Sequence, residues 1–335
     1  MSASTFHVER TPFNGDATGR DGWTSTNRPG VLHPTTWTTT VPKELVHRAA
    51  VAEVMLTGWE RLDDTHFTVT AQWPRSHGFY TPVHGSHHDP LIAVETFRQV
   101  GALLGHAEFG VPFGHQFLLR NLSIAVEPQQ LEMDWAPASV DIAVTCTDVR
   151  RRGNQLASLR YEAVIRRDGR LAATAAASYT CISPTVYRRL RGDRALSGER
   201  RQLPLTAPAA PQSVGRLSPM DVVLSPTDRP DRWYLRADTR HPVLFDHPVD
   251  HIPGMVLLEA ARQATSAVLG RCSFLPLSLD STFERYTELD VPCVIETHEL
   301  PKGVVPEGRE AIRVTGHQNG RRVFSSVVTA GSCDL

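Results

Sequence analysis

Phe245-Asp-His-Pro-Val-Asp-His-Ile-Pro-Gly-Met-Val-Leu-Leu-Glu-Ala-Ala-Arg-Gln-Ala264 decides how the rest of the chain is read. A polar loop bearing His247, Asp250 and His251 runs into Pro253-Gly254, then into an apolar stretch ending near Leu269. Proline just inside a helix start gives up no needed N–H, so Pro253 opens a helix rather than breaking one. Between Pro253 and Leu269 the only charged residues are Glu259 and Arg262. A helix apolar nearly all round is normally buried. This one therefore carries a carboxylate and a guanidinium, on one face, into a core. The pair is either a self-satisfied ion pair or part of an active site.

The same signature occurs earlier. Asp89-Pro-Leu-Ile-Ala-Val-Glu-Thr-Phe-Arg-Gln-Val100 predicts a helix from Pro90 whose only charges are Glu95 and Arg98, followed by Gln99, as Gln263 follows Arg262. Both pairs are offset by 164 positions (259 − 95 and 262 − 98). A loop rich in histidine (His84, His87, His88) precedes this helix too. Two such strings in matching contexts point to a duplication.

Working outward, residues 1–40 are rich in Thr, Gly, Pro and Asn without periodicity and read as an extended or disordered arm. Pro42 starts a short helical piece, Lys43–Val54, and Phe67–Trp73 alternates as a strand with one wet face. After the Pro90 helix come strands over Gln116–Val126, Ala138–Thr147, Leu156–Arg166 and Ala172–Ile182, the last two joined by the tight-turn dipeptide Asp168-Gly169. The second half repeats this order: Arg216–Ser225 mirrors Arg48–Thr57, and Trp233–Asp238 mirrors Phe67–Gln72. Its helix is followed by Phe283–Asp290 and Val294–Leu300, then Ala311–Gln318 and Val323–Ala330 flank Asn319-Gly320. One helix followed by antiparallel strands is an α+β pattern, and two long copies make a pseudo-dimer rather than a solenoid. The expected division is an arm over 1–40, a domain over 41–185, a linker over 186–212 and a second domain over 213–335. The linker's arginines (Arg188, Arg189, Arg191, Arg194, Arg200, Arg201) read as a solvated run, or as a docking strip for an acidic partner.

Composition sets bounds. At 335 residues the chain suits two domains. A formal charge of −1 leaves no global basic footprint for nucleic acid. Cys146, Cys181, Cys272, Cys293 and Cys333 show neither metal spacing nor a disulfide framework. No apolar run is long enough to span a bilayer, and the N-terminus lacks a secretory pattern. The expectation is a reduced, soluble, cytoplasmic protein with no cofactor or metal, a pseudo-dimeric monomer whose edge strands could still pair between chains.

His-x-Pro followed by Pro-Gly-x-x-x-x-Glu-Ala at a helix start resembles the motif of hotdog-fold dehydratases acting on acyl-carrier-protein thioesters. In that fold an antiparallel sheet wraps one long apolar helix. His247-Pro248 lies two residues closer to Pro253-Gly254 than in that motif, and Arg262 and Gln263 are foreign to it. Over nearly its whole length the chain resembles the γ-butyrolactone (A-factor) biosynthesis family, the AfsA-like proteins. The resemblance is carried by Leu45-Val-His-Arg48 with Glu53-Val54, by Ala71-Gln-Trp-Pro74, and above all by the string from Asp246 to Gln263. It implies two tandem hotdog domains. It also implies transfer of a β-ketoacyl group from acyl carrier protein to the hydroxyl of dihydroxyacetone phosphate, giving a precursor of butanolide, butenolide or furan signalling molecules.

Such a transfer needs a base for the hydroxyl, donors for the thioester oxyanion and a site for phosphate. Burial raises a carboxylate's pKa towards the range useful for proton transfer while an adjacent arginine lowers it. Glu95 and Glu259 are therefore candidate bases whose net shift stays open at this stage. Free N–H groups after Pro253 could hold the oxyanion, with Gly254 admitting the thioester closely. Arg98 and Arg262 offer bidentate geometry for phosphate, with Gln99 and Gln263 beside them. His247 and His251 could share the proton work or orient the acceptor, with His251 and Asp250 counted among the substrate-binding residues; the competing reading for all three is loop capping. The resemblance further suggests that His247 and Glu95 share a site across the pseudo-dyad. The rivals are a dehydratase or thioesterase on the same fold, and a non-catalytic acyl- or lactone-binding module.

Overall fold

A computed structural model of the chain describes residues 38–80, 85–195, 203–271, 275–300 and 309–331. The first half runs β1 (Leu56–Arg61), β2 (His66–Trp73), α1 (Pro90–Ala107), β3 (Gln116–Val126), the single turn α2 (Pro128–Leu131) and β4 (Ala138–Cys146). It continues through β5 (Arg150–Arg152), β6 (Gln155–Arg167), β7 (Arg170–Ile182) and α3 (Pro184–Arg191). The second runs β8 (Leu224–Pro226), β9 (Arg232–Leu235), α4 (Gly254–Leu269), β10 (Pro276–Phe283), β11 (Val294–Glu299), β12 (Arg309–Gln318) and β13 (Arg321–Gly331).

Every strand pairing is antiparallel, in one sheet ordered β1-β2-β4-β6-β7-β3-β10-β13-β12-β11-β9-β8, with β5 hung on β6. Read outward from its centre, the order is β3-β7-β6-β4-β2-β1 one way and β10-β13-β12-β11-β9-β8 the other. The two halves thus meet at the β3–β10 seam, where Leu122 pairs with Ser281 and Ile124 with Leu279. Each half wraps its own helix. β4 alternates buried and exposed along its length, the signature of a sheet with one face on a core. The two hairpin turns the dipeptides predict are present: Asp168 and Gly169 have φ of 50° and 75°, and Asn319 and Gly320 have 50° and 70°. Positive φ at both central residues matches the right-handed twist of the flanking strands.

α1 is buried almost all round, Glu95 and Gln99 included. Each fully buried Leu, Ile, Val or Phe contributes about 1.5–3 kcal/mol, and Leu91, Ile92, Val94, Phe97, Val100, Leu103 and Leu104 all lie at zero exposure. Close approach to the sheet requires glycine on the facing stripe. A Cβ at Gly101 would lie 2.3 Å from the Tyr161 hydroxyl, and one at Gly105 would lie 2.5 Å from the Phe117 ring. Tyr161 and Tyr179 use that proximity to donate to Phe97 O (3.3 Å) and Gly101 O (3.0 Å).

Three expectations need correction. The helical piece over Lys43–Val54 is two 3₁₀ turns, Lys43–Val46 and Val51–Glu53, because His47 between them adopts the left-handed conformation (φ 54°, ψ 51°). The strand after α4 is Pro276–Phe283, so the stretch beginning at Phe283 starts where β10 ends. The arginine-rich segment starts inside α3, and its Arg191 is buried, not solvated. The arm over 1–37, His84, Arg200, Arg201, Cys272 and Cys333 fall outside the described residues.

A Gly101→Ala substitution is expected to destabilise the protein by about 1–3 kcal/mol, the cost of overpacking, read as a lower urea midpoint. An unchanged midpoint would contradict the close helix–sheet approach.

Candidate active site

Both helix glutamates are fully buried, and both oxygens of each are hydrogen-bonded. Glu95 Oε1 accepts from Arg48 Nε (2.9 Å), Arg98 Nη2 (2.7 Å) and Gln99 Nε2 (2.7 Å). Its Oε2 accepts from Arg98 Nε (2.9 Å) and Arg48 Nη2 (2.7 Å). Glu259 repeats this with Arg216 (2.8 and 2.7 Å), Arg262 (2.6 and 3.0 Å) and Gln263 (2.5 Å). Each glutamine also reaches the backbone. Gln99 accepts from Met55 N (2.9 Å) and donates to Glu53 O (2.7 Å), while Gln263 accepts from Val223 N (3.0 Å) and donates to Asp221 O (2.7 Å).

Burial alone would raise both glutamate pKa values, but the flanking arginines outweigh it and hold each near 2. A carboxylate at zero exposure with five donors has no lone pair facing a substrate. The reading of Glu95 and Glu259 as general bases is therefore corrected on physical grounds: each is the anion at the centre of a clamp. Gln99 and Gln263 are clamp members rather than substrate ligands for the same reason. The bidentate forks of Arg98 and Arg262 are spent on glutamate, which corrects their reading as bidentate phosphate sites. Arg98 remains a quarter exposed, with Nη1 free of protein partners among the described residues, whereas Arg262 is 6 % exposed.

The clamps also join the halves. Arg48 Nη1 donates to Val243 O (3.3 Å) and lies 3.2 Å from Asp246 Oδ1, across the pseudo-dyad. Reciprocally, Arg216 Nη1 donates to Phe79 O (2.6 Å), the guanidinium carbon lies over the Phe79 ring, and Nη2 sits 3.8 Å from Asp89 Oδ2. His77 and His241 complete the repeat. The Nδ1 of His77 accepts from Phe79 N and Tyr80 N, and that of His241 from Val243 N and Leu244 N, while the Nε2 atoms face Glu53 and Asp221.

Against this near-identity the halves differ at their helix starts and in the loops before them. α1 begins at Asp89, whose side chain accepts from Leu91 N (2.9 Å) and closes the helix start. α4 begins at Pro253 with no side-chain cap, so its first N–H groups and positive dipole end stay available to an anion. Gly254 there stands close to Phe283 and Leu119. The loop before α4 carries two aspartate–histidine pairs. Asp246 Oδ1 lies 2.5 Å from His247 Nδ1, and its Oδ2 accepts from Ala49 N (2.9 Å) in the other half. Asp246 is held near 2 by His247 and Arg48 despite its burial. Asp250 accepts from His251 Nδ1 (2.7 Å), Arg191 Nε (3.1 Å) and the Tyr187 hydroxyl. Arg191 is in turn bidentate to Glu288 (2.7 and 2.8 Å). Asp250 thus ties α3 to this loop and orients His251, whose ring meets Tyr286 edge-on at 4.9 Å.

His247 and Glu95, expected to share a site across the pseudo-dyad, are not in contact; Asp246 and Arg48 stand between them. His87 and His88 lie apart from it. His88 is buried beside Trp73 with its pKa pushed down to about 4 by burial, and His87 bonds Ser86 (2.9 Å). No cluster of three or more metal-ligating side chains occurs among the described residues, and none of their helices is long and apolar enough to cross a membrane. A cavity of about 310 Å³ lies elsewhere, lined by Arg61, Asp64, Glu108 and Arg151 among others. Its Arg61 already faces Asp64 and Glu108, and no histidine lines it.

Sequence reasoning did not single out Arg48, Arg216, Asp246, His47 or His106. Arg48 and Arg216 could have been found, since both sit in the mirrored segments at a shared offset (216 − 48 = 168).

A family model described as the A-factor biosynthesis hotdog domain matches residues 32–183 and again 198–334. The chain belongs to that family. A 2-oxo-3-(phosphooxy)propyl 3-oxoalkanoate synthase of Streptomyces virginiae is 54 % identical over 298 residues, 89 % of this chain and 100 % of that protein. One of the same name from Streptomyces coelicolor is 42 % identical over 86 % of this chain and 91 % of its own length. Among solved structures, a putative oleoyl thioesterase from Lactobacillus plantarum superposes with a TM-score of 0.52 at 11 % identity, covering 82 % of this chain and 99 % of that one. That likeness shows the fold, two tandem hotdog units forming a pseudo-dimer.

In this family member the clamps predict a specific acid sensitivity. Glu259 falls from its ordinary 4.5 to about 2 on folding. A lowered carboxylate pKa adds stability that is complete above the unfolded value and is lost as pH falls from 4.5 towards 2. Glu259→Gln leaves two buried guanidiniums without their anion. It is expected to lose about 3–5 kcal/mol at pH 7 and to show a shallower decline across that acid window. Wild-type stability in the variant at pH 7 would contradict the clamp.

Proposed function

We propose that this protein transfers a 3-oxoacyl group from an acyl-carrier-protein thioester to the free hydroxyl of dihydroxyacetone phosphate. The name borne by its relatives describes the ester of a 3-oxoalkanoate with a 2-oxo-3-(phosphooxy)propyl group. Cutting that ester at its acyl–oxygen bond leaves a 3-oxoacyl group and dihydroxyacetone phosphate. The reading is supported by the uncapped start of α4, the two imidazoles held by aspartates on the loop before it, and the quarter-exposed Arg98 in the other half.

In this mechanism Arg98 Nη1 engages the acceptor's phosphate. His247, with Nδ1 held by Asp246, takes the hydroxyl proton on Nε2 as the oxygen attacks the thioester carbonyl. N–H groups at the start of α4 hold the oxyanion. Collapse breaks the C–S bond, and the proton passes from His247 to the leaving thiolate. Asp250 and His251 line the approach to the helix start. The carrier protein's acidic surface meets α3, where Arg188, Arg189, Val186 and Leu190 are exposed and Tyr187 and Arg191 lock the helix to the site loop. A pseudo-dimeric monomer is sufficient for all of this, because both contributions to the site come from one chain.

Purified protein given a 3-oxoacyl thioester and dihydroxyacetone phosphate is expected to yield the phosphorylated 3-oxo ester by mass spectrometry. Free acid or enoyl thioester alone would move the assignment to a thioesterase or dehydratase. Charge reversal at Arg188 and Arg189 together is expected to raise KM for the carrier-protein thioester about tenfold while leaving a short pantetheine thioester unaffected. Equal effects on both substrates would remove α3 as the docking surface.

A further inference from the structure

The two halves differ at one pair of positions that neither clamp needs. Beside Arg48 stands His47, and beside the equivalent Arg216 stands Gly215. Both residues are left-handed, with φ of 54° and 68°. Glycine adopts that conformation without strain, whereas histidine does so at a cost of order 1 kcal/mol. The second member of the pair is His106, near the end of α1. At the matching position of the second half, 164 residues on (270 − 106), stands Gly270. The first half thus holds two imidazoles in contact where the second half has two glycines.

Their hydrogen bonds fix the tautomers. His106 Nδ1 lies 2.6 Å from Val111 O, which can only accept, so Nδ1 carries the proton. Burial lowers the pKa of His106, and in the neutral ring its Nε2 is then bare. His47 Nε2 lies 2.7 Å from that atom and must donate to it. His47 Nδ1 is left as a bare acceptor with no protein partner among the described residues. Burial, then Arg98, His106, His247 and Arg48, hold the pKa of His47 down near 3, so the ring stays neutral at any physiological pH. A neutral acceptor of this kind does not attract phosphate and is too weak a base to hold a proton. It is suited to reading a hydroxyl.

Its surroundings place it at the proposed site. The Arg98 guanidinium donates to Val46 O (3.1 Å), one residue from His47. The His47 ring packs edge-on against Phe117 at 5.0 Å. Two residues along β3, on the same face, Leu119 stands 3.8 Å from where a Gly254 Cβ would lie, at the open start of α4.

The geometry points to His47 as the residue that accepts a hydrogen bond from the reacting hydroxyl of the acceptor, with His106 as the positioning residue that fixes its tautomer. This rests on dihydroxyacetone phosphate being the acceptor. Arg98 would hold the phosphate end and His47 the hydroxyl end of the bound acceptor before the thioester is seated; rotation about the C–O bond then turns the hydroxyl's single proton from His47 to His247, which takes it as the oxygen attacks. The duplicated half, with Gly215, a buried Arg262 and the capped start of α1, would read no acceptor.

A binding experiment without thioester tests this through recognition rather than turnover. Calorimetry compares dihydroxyacetone phosphate with hydroxyacetone phosphate, which has a methyl group in place of the hydroxymethyl. Wild type is expected to bind the hydroxyl compound about tenfold more tightly, the worth of one hydrogen bond. His47→Gly copies the residue the second half uses at the same φ, so its fold and melting temperature are expected to hold. It should bind both compounds alike, with the affinity wild type shows for hydroxyacetone phosphate. His106→Leu, which frees the tautomer, should lose most of the discrimination while keeping the phosphate affinity. A His47→Gly protein that still prefers the hydroxyl compound tenfold, or that loses both ligands equally, would overturn the assignment. Wild type binding neither compound would overturn the acceptor reading itself, separating the two failures.

Discussion

Two buried carboxylates, each gripped by two arginines and a glutamine, are the constraint on which the rest of this structure depends. A lone glutamate at zero exposure would neutralise or unfold its helix. Five donors around each one keep it ionised with its pKa near 2. Arg48 and Arg216 do more than neutralise. Each sits on the short turn segment ahead of its own half's sheet, grips its own half's helix, and extends its remaining nitrogen to a carbonyl of the other half. Helix placement, entry-loop placement and the union of the halves thus share the same atoms. The β3–β10 seam adds a continuous ladder to that union.

Duplication lets one copy of this frame change while the other keeps its structural task. The clamps agree bond for bond, and so do the buried His77 and His241. The departures gather on one side of the pseudo-dyad. The second half contributes an uncapped helix start and a loop carrying Asp246, His247, Asp250 and His251. The first half contributes His47, His106 and the more exposed Arg98. In the proposed reading, a site assembled from unlike edges of like halves serves an acyl thioester and a small phosphorylated alcohol together, which a symmetric pair of half-sites would not favour. The cross-half bonds from Arg48 and Ala49 to Asp246 make the dyad's orientation part of the inter-half contact.

Much of this was legible in the sequence because it is periodic. The apolar helices with their isolated Glu-x-x-Arg-Gln strings, the alternating strands and the Asp-Gly and Asn-Gly turns carry local signals that agree with the final fold. The role of the glutamates was not legible. Burial and a neighbouring arginine shift a carboxylate in opposite directions, and the outcome turned on Arg48 and Arg216, which arrive from more than 40 residues away in sequence (95 − 48 and 259 − 216). Such long-range partners leave no spacing signature within the helix. His47 was hidden for another reason. Its left-handed backbone breaks what reads as one continuous helical piece, and it gains meaning only when Gly215 is superposed on it. Arg191, legible only as part of a basic run, is buried because Asp250 and Glu288 converge on it from separate loops.

The central claim is that two equivalent clamps support one acceptor site. Counting sites tests it most directly, by titrating the full chain with hydroxyacetone phosphate, which binds without reacting, and reading the stoichiometry calorimetrically. The account predicts one site per chain, abolished by Arg98→Gln and retained in Arg262→Gln wherever that variant remains folded by circular dichroism. Two equivalent sites per chain, or a single site lost with Arg262 and kept without Arg98, would contradict it.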